Sequence, residues 1–446
     1  MSRRATLLRH ANARTPRYTS YPTAPHFHEG VDGAVMERWL GALDPARPVS
    51  LYVHVPYCRS LCWYCGCNTR ATTRAEPVAA YLERLLKELE LTAARLPGRM
   101  AISHFAMGGG TPAILSPDQI SRLMDAVRAR FDLLPGAELS IEIDPRHFTR
   151  ADAVGLARNG FTRASTGVQS FDPAVQAAIN RIQPWELAAI AFDRLREAGV
   201  GAINIDLLYG LPRQSAASAR ASAEAAADLA PDRLAVFGYA HVPHMMAHQR
   251  LIRDEELPDA RSRLDQADAM EDALLAAGYQ AIGIDHYALP GDSMARALKA
   301  RTLKRNFQGY TTDPSDVLIG LGASAISALP HGYVQAHSDV RAWGQAVEAG
   351  RLPARRGVAV SAQDRLRRAI IEQLMTYLDV DPAALAAAHG LAEPEADLSE
   401  LEAAGIVRRD GARIIVPRAY RPLARLAAAA FDGYLPASAA RHSVSV

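Results

Sequence analysis

Every cysteine in this chain of 446 residues falls within ten consecutive positions: Cys58, Cys62, Cys65 and Cys67, inside VPYCRSLCWYCGCNT (55–69). Thiols so gathered can make a disulfide staple, a zinc site or an iron–sulfur cluster. The N-terminus, MSRRATLLRHANARTPRYTS, is basic but has no apolar stretch and no small-residue cleavage site, so a secretory signal is not expected. That predicts a cytoplasmic location, where disulfides are rare. The C-x3-C-x2-C spacing of Cys58, Cys62 and Cys65 is unusual for structural zinc, which takes four ligands, commonly two C-x2-C pairs. An iron–sulfur cube takes one protein ligand per iron, so three thiolates would leave one iron open. The plain alternative is a helical face of buried cysteines. Against that, the stretch follows an apolar strand, starts after Pro56 and contains Gly66. Cys67, as a fourth thiolate, would compete for the open iron; it reads either as a packing thiol or as a functional one.

Further candidates recur at intervals. Gly108, Gly109 and Gly110 precede Thr111 and Pro112, and three glycines in a row allow close approach of backbone to a ligand or a neighbour. Glu142 and Asp144 stand two residues apart on a strand, hence on one face. A carboxylate directed into a barrel needs a partner or a ligand, and Arg146 is an available partner for Asp144. Gln169, Arg181 and Asp206 follow or end later strand patterns. His241, His244 and His248 have irregular spacing beside Pro243 and read as hydrogen-bonded loop residues rather than a metal site.

These residues must be held by elements that alternate. Short apolar runs at 50–55, 102–107, 138–143, 163–168, 202–209, 233–238 and 280–284 are separated by helical patterns. In 116–131, Ser116 is placed as N-cap and Pro117 as first helical residue, with Ile120, Leu123, Met124, Val127 and Phe131 in one stripe. Such alternation predicts a parallel sheet, doubly wound or curled into a full or partial barrel. Candidates at successive strand ends favour the barrel. Residues 1–49 read as an extended arm, 50–290 as the barrel core, 291–360 as an extension packing on the core's edge, and 361–446 as a small α-rich domain with a hairpin turn at Asp410 and Gly411. Apolar residues at 49%, charged residues at 22% and a net charge of +2 predict an ordinary globular protein. They give no electrostatic footprint for nucleic acid, and no apolar run is long enough to span a membrane.

With the cysteine spacing stand PRYTSYPTA (16–24), MGGGTP (107–112), SIEIDPR (140–146), NIDLLYGLP (204–212) and RNFQGYTT (305–312). Together they resemble the oxygen-independent coproporphyrinogen III oxidases of the radical S-adenosylmethionine superfamily. The resemblance covers nearly the whole chain, thinning after 360. It implies an α/β fold, a partial (β/α) barrel of the radical S-adenosylmethionine type with an N-terminal arm and a small α-rich C-terminal domain. It implies a [4Fe–4S] cluster on Cys58, Cys62 and Cys65 and two molecules of S-adenosylmethionine. Tyr52, Tyr64, Gly109, Glu142 and Ile326 would contact the first, and Gly110, Thr111, Gln169, Arg181, Asp206 and Ala240 the second. Cys67 would be needed for catalysis. The implied reaction turns two propionates of coproporphyrinogen III into vinyl groups, with a reductase or flavodoxin-type electron donor and a monomeric enzyme. Arg17, Lys304 and Arg305 are candidates for the substrate carboxylates. Related radical chemistry on another tetrapyrrole, or haem delivery by the same scaffold, are the alternatives. Ser170 and Gly238 depart from residues usual in that family.

Overall fold

Twelve strands hydrogen-bond into one sheet in the computed structural model, which describes residues 2–435. In chain order they are β1 (Val49–Val55), β2 (Ala101–Gly109), β3 (Asp132–Ile143), β4 (Arg163–Gln169), β5 (Ala202–Tyr209), β6 (Arg233–Gly238), β7 (Gln280–Ile282), β8 (His286–Ala288), β9 (Leu318–Leu321), β10 (Ile326–Leu329), β11 (Gly332–Ala336) and β12 (Ala354–Ala359). Their spatial order is β12-β11-β10-β9-β1-β2-β3-β4-β5-β6-β8-β7. From β9 through β1 to β6 neighbours are parallel, and antiparallel strands extend both edges. The two ends do not pair among the described strands, so the barrel is partial.

The parallel strands are joined by amphipathic helices whose starts were marked in the sequence. The helix Pro117–Arg130 begins with Ser116 and Gln119 in a reciprocal capping box and buries Ile120, Leu123, Met124 and Val127. The helix Trp185–Ala198 stops at Gly199, whose φ of 94° is the left-handed conformation glycine tolerates. Apolar side chains of strands and helices, among them Leu51, Phe105, Ile141, Phe192 and Ile205, form the main core. Register aligns the polar residues of the interior: Glu142 lies beside Ser165, Ser165 beside Asn204, and Gly167 beside Asp206.

Three expectations change. The N-terminal segment is not simply extended: it holds helices Arg3–His10 and Gly33–Gly41, capped by Ser2 and Asp32. The first buries only Thr6 and Leu7, too few for a visible stripe. Leu7, Ala11, Tyr18 and Tyr21 instead enter a second core built from 366–431. Residues 318–359 do more than pack on the edge, because β9 pairs in parallel with β1 and β10 to β12 continue the sheet. In the C-terminal hairpin Asp410 pairs with Arg413, which puts Gly411 and Ala412 at the tip, one residue later than expected. No helix among the described residues is long and apolar enough to cross a membrane.

Candidate active site

The cysteine loop leaves β1 and is tied back on itself. Tyr57–Cys58 pairs in parallel with Arg70–Ala71, and Thr72 N–H donates to the Cys58 carbonyl at 2.8 Å. Cys65 N–H donates to the Cys62 carbonyl at 3.2 Å, a tight turn that fixes these two relative to each other. The loop is clamped from the far side by His248, whose Nε2 lies 2.7 Å from the Cys65 carbonyl, and by Gln249, whose Nε2 donates to the Tyr64 carbonyl at 2.9 Å.

All four cysteines are free thiols facing a cavity of about 170 Å³. Its other walls include Tyr64, Gly109, Gly110, Thr111, Glu142, Gln169, Arg181 and Asp206. Thus every candidate for the cluster, the cofactors and catalysis except Tyr52, Ala240 and Ile326 lines one space, while the carboxylate candidates Arg17, Lys304 and Arg305 lie outside it. Tyr52 and Ile326 share an apolar cluster under β1 and β10, and the Tyr52 hydroxyl lies 3.2 Å from His54 Nδ1. The Ala240 carbonyl accepts from Gln249 Nε2 at 3.4 Å, beside the Tyr64 carbonyl bound by the same amide.

Among the described residues no three His, Cys, Asp or Glu side chains converge on a point suited to a single ion. A cube that takes one thiolate per iron needs its ligands spread around it, and the shared cavity provides that arrangement. Cys62 Sγ accepts from Arg181 Nη1 at 3.5 Å and Arg146 Nη2 at 3.7 Å. Cys65 is held towards the thiolate, chiefly by its hydrogen bond with the Cys67 thiol. Cys67, in return, keeps its proton. Burial raises Cys58, opposed by hydrogen bonds with the Thr111 and Thr69 hydroxyls. The donor set suits an electron-rich metal–sulfur group.

The glycine turn is required by close approach. A Cβ on Gly109, whose φ is 114°, would sit 2.5 Å from the His54 ring, and one on Gly110 2.6 Å from the Tyr57 carbonyl oxygen. Gly109 N–H in turn donates to Glu142 Oε2 at 3.2 Å. Glu142 faces the interior, wetted through the cavity yet enclosed by protein. That enclosure first, and the neighbouring Asp206 second, push its carboxyl up to about 7. Asp206 is also raised by burial, although Asn204 Nδ2 donates to it at 2.8 Å. Asp144 behaves differently: Arg146 grips both its oxygens, at 2.9 and 2.6 Å, and holds it at about 2 against the effect of burial.

Gln169 ends β4 with a φ of 70°, a strained conformation for a non-glycine residue. Arg181 is buried, and burial opposes its charge. Tyr64, Asp144 and Cys62 nevertheless keep it firmly protonated. It donates to the Gly167 carbonyl, while its Nε has no partner. Lys304, a carboxylate candidate in the sequence, is turned away onto Asp316 and the Pro314 carbonyl, each at 2.7 Å. His54 and Gln249 are site neighbours that the sequence reading does not single out. Arg146 pairs with Asp144 and His248 is a hydrogen-bonded loop residue, as their positions imply, but the contacts of both with the cysteine loop are additional. Ser170 is wholly buried and its Oγ accepts from Asp172 N–H at 3.1 Å, so a short hydroxyl serves this turn.

Residues 52–226 match the model of the Radical SAM superfamily. An oxygen-independent coproporphyrinogen III oxidase of Bradyrhizobium diazoefficiens is 48% identical over 97% of this chain and 97% of its own length. Those of Paracoccus denitrificans and Pseudomonas aeruginosa are 42% and 40% identical, over 98% and 97% of this chain and 97% and 96% of theirs. The structure of coproporphyrinogen III oxidase from Escherichia coli, described as a radical SAM enzyme, superposes with a TM-score of 0.89 at 38% identity, covering 94% of this chain and 97% of that one. The chain therefore belongs to the oxygen-independent coproporphyrinogen III oxidases of the radical S-adenosylmethionine superfamily.

Proposed function

We propose that this protein converts two propionates of coproporphyrinogen III to vinyl groups without oxygen, giving protoporphyrinogen IX. The observation that carries this reading is the meeting of the three-thiol loop with Glu142, Gln169, Arg181 and Asp206 on one cavity, in a chain matched almost end to end by such oxidases. That match includes the N-terminal arm, which favours this reading over another tetrapyrrole substrate or haem delivery.

A propionate CH₂ is too weak an acid for any protein base, so its hydrogen must leave as an atom. Cys58, Cys62 and Cys65 would hold the [4Fe–4S] cluster, which together with S-adenosylmethionine supplies, when bound, the carbon radical for that abstraction. The substrate then loses CO₂ and one electron to leave the vinyl group. This chain's residues bind, orient and shield. Arg146 and Arg181 donate to Cys62 Sγ and so fix its position. Glu142, with Gly109, Tyr52, Tyr64 and Ile326, would hold the first S-adenosylmethionine, its carboxylate accepting from ammonium or hydroxyl donors. Gly110, Thr111, Gln169, Arg181, Asp206 and Ala240 would hold a second. Cys67, whose thiol keeps its proton beside Cys65, would serve the substrate rather than ligate the cluster. A reductase or flavodoxin-type protein would supply the electron to a monomer in the cytoplasm; four thiols outside any disulfide suit a reducing compartment. Residues 50–290, joined by Ile326, would carry both cofactors, with 1–49, the rest of 291–360 and 361–446 enclosing the substrate.

Anaerobic incubation of the iron- and sulfide-reconstituted protein with reductant, S-adenosylmethionine and coproporphyrinogen III should yield divinyl product. Tight haem binding with no such product would overturn the reading.

A further inference from the structure

A second cavity, of about 240 Å³, opens beside the first at the ends of β5 and β6. Five arginines line it: Arg17 from the N-terminal segment, Arg263 from the helix Ala260–Ala276, Arg305, and Arg421 and Arg425 from the C-terminal unit. The acidic residues in its wall are Asp268, Glu271 and Asp285, and each has a cationic or histidine neighbour of its own. Asp268 meets Arg3 at 3.4 Å, Glu271 accepts from Arg421 at 2.9 Å, and Asp285 lies 2.7 Å from His286. Positive charge is therefore in excess around an enclosed space.

Several of these donors are unused. Arg305 and Arg421 are more than nine-tenths buried, yet Nε and Nη1 of Arg305 and Nη1 of Arg421 have no hydrogen-bond partner. Buried guanidinium N–H groups left unpaired are costly, and an incoming anion would satisfy them. The arginines are also crowded. Arg425 is held down to about 10, first by burial and then by Arg17, and Arg263 is lowered by burial and by Arg17 against the pull of Tyr209. Arg305, on a separate hairpin of Lys304–Asn306 and Gly309–Thr311, stands over the Tyr310 ring and donates to the Arg17 carbonyl at 3.1 Å, so arm and hairpin meet at the cavity.

The cavity adjoins the first site through shared walls. Phe237 and Gln308 line both it and a space inside the barrel, and Glu142, Ser165 and Asp206 line both that space and the thiol cavity. The arginines therefore stand on the same side of the barrel as the thiols, one space apart.

We propose that the arginine cavity receives the carboxylates of the tetrapyrrole that are not reacting, with Arg17, Arg305 and Arg421 as their principal donors. This rests on the function proposed above and adds a site to it. Placing the donors on the arm, the hairpin after the barrel core and the C-terminal unit means that a tetracarboxylate draws the three segments together, whereas an uncharged macrocycle does not.

The test uses the reconstituted full-length protein and two fluorescent probes, coproporphyrin III and its tetramethyl ester. The wild type should bind the acid about tenfold or more tightly than the ester, as expected for a buried charged hydrogen bond. Arg305→Gln should remove most of that preference and Arg305→Lys should restore part of it. Arg17→Gln, at an exposed position that folding tolerates, should reduce it as well. An acid-to-ester ratio that stays the same in Arg305→Gln and Arg17→Gln overturns the proposal. So does a loss confined to S-adenosylmethionine binding, which would give the cavity to the cofactor's own carboxylate. Divinyl product formation by the wild type is scored separately, so failure of the proposed reaction and failure of the arginine site are told apart.

Discussion

The thiol cavity and the arginine cavity lie on the same end of the barrel but are built in opposite ways. The first depends on a loop of ten residues set directly on β1, with glycines and carboxylates from the next strand ends. The second joins side chains from residue 17 to residue 425, and no two of its arginines are near neighbours in sequence except Arg421 and Arg425. Chemistry that must not vary is written locally, where a single turn fixes spacing. Recognition of a large substrate is spread over segments that fold against one another. If this contrast holds, damage to one cavity should leave the signature of the other intact.

The largest effect separating them is expected from Cys62→Ser. Cys62 is buried and receives both Arg146 and Arg181, so the hydroxyl removes a ligand and leaves two cations facing a poor anion. Iron content and cleavage of S-adenosylmethionine should fall to background, a loss of at least ~10³-fold in rate, while the acid-to-ester preference of the arginine cavity persists. Loss of both together would show that the cavities are one folding unit.

A middle effect is expected from Leu7→Ala, which strikes the opposite side. Leu7 is 1% exposed in the second core, among residues of the C-terminal unit. Removing its side chain should cost about 2–4 kcal/mol there. Denaturant unfolding should show a destabilised C-terminal unit and weaker tetracarboxylate binding, with iron content retained. Equal destabilisation of the barrel would erase the distinction.

The contrast also governs how much could be read in advance. The cysteine loop, Gly109, Gly110, Thr111 and Glu142 were legible because strand periodicity and tight spacing are local facts, and the fold followed from strand–helix alternation. His248 and Gln249 were not, because their value lies in carbonyls of a loop about 185 residues away. Arg146 is legible as a partner of Asp144, which it grips in the structure, but its reach to Cys62 depends on how the loop folds. Arg421 and Arg425 lie in an α-rich stretch where basic residues ordinarily face solvent, and only tertiary docking buries them. The N-terminal helix was hidden for a related reason, since a helix that buries one leucine has no pattern to show.

A further, smaller effect is expected from pH. The Glu142 carboxyl is raised to about 7 with no cation beside it. A group raised in this way binds a cationic ligand best when ionised, so S-adenosylmethionine affinity in the wild type should rise about tenfold per unit up to pH 7 and level off above it. By the same sign, the protonated group stabilises the unliganded fold below its unfolded value near 4.5, and that stability is lost as pH rises through 7. Glu142→Gln should bind more weakly above pH 7 with this rise flattened, leaving only the cofactor's own titration, as isothermal titration would show. The arginine cavity, charged throughout this range, should give a flat profile for the tetracarboxylate.

The smallest effect concerns Gly238, where the absent side chain makes room for the arginine cavity. Its carbonyl accepts from Arg17 Nη2 at 3.1 Å, and a Cβ there would lie 2.9 Å from Arg263 Nη2 and 3.0 Å from the Tyr209 hydroxyl. Both are the far ends of side chains, so Gly238→Ala should be accommodated by a small shift of Arg263 rather than by backbone movement. The Arg263 guanidinium also lies against Gly210, where a Cβ would come within 2.1 Å of its Nη1, so the shift must carry it away from both glycines. The expected result is a KM for coproporphyrinogen III raised about two- to fivefold with kcat retained, equivalent to under ~1 kcal/mol. Gly238→Asn, with a longer side chain aimed at the same guanidinium, should raise it further. A fall in kcat with KM unchanged would place Gly238 at the reacting carbons instead and move the boundary between the two cavities toward β6.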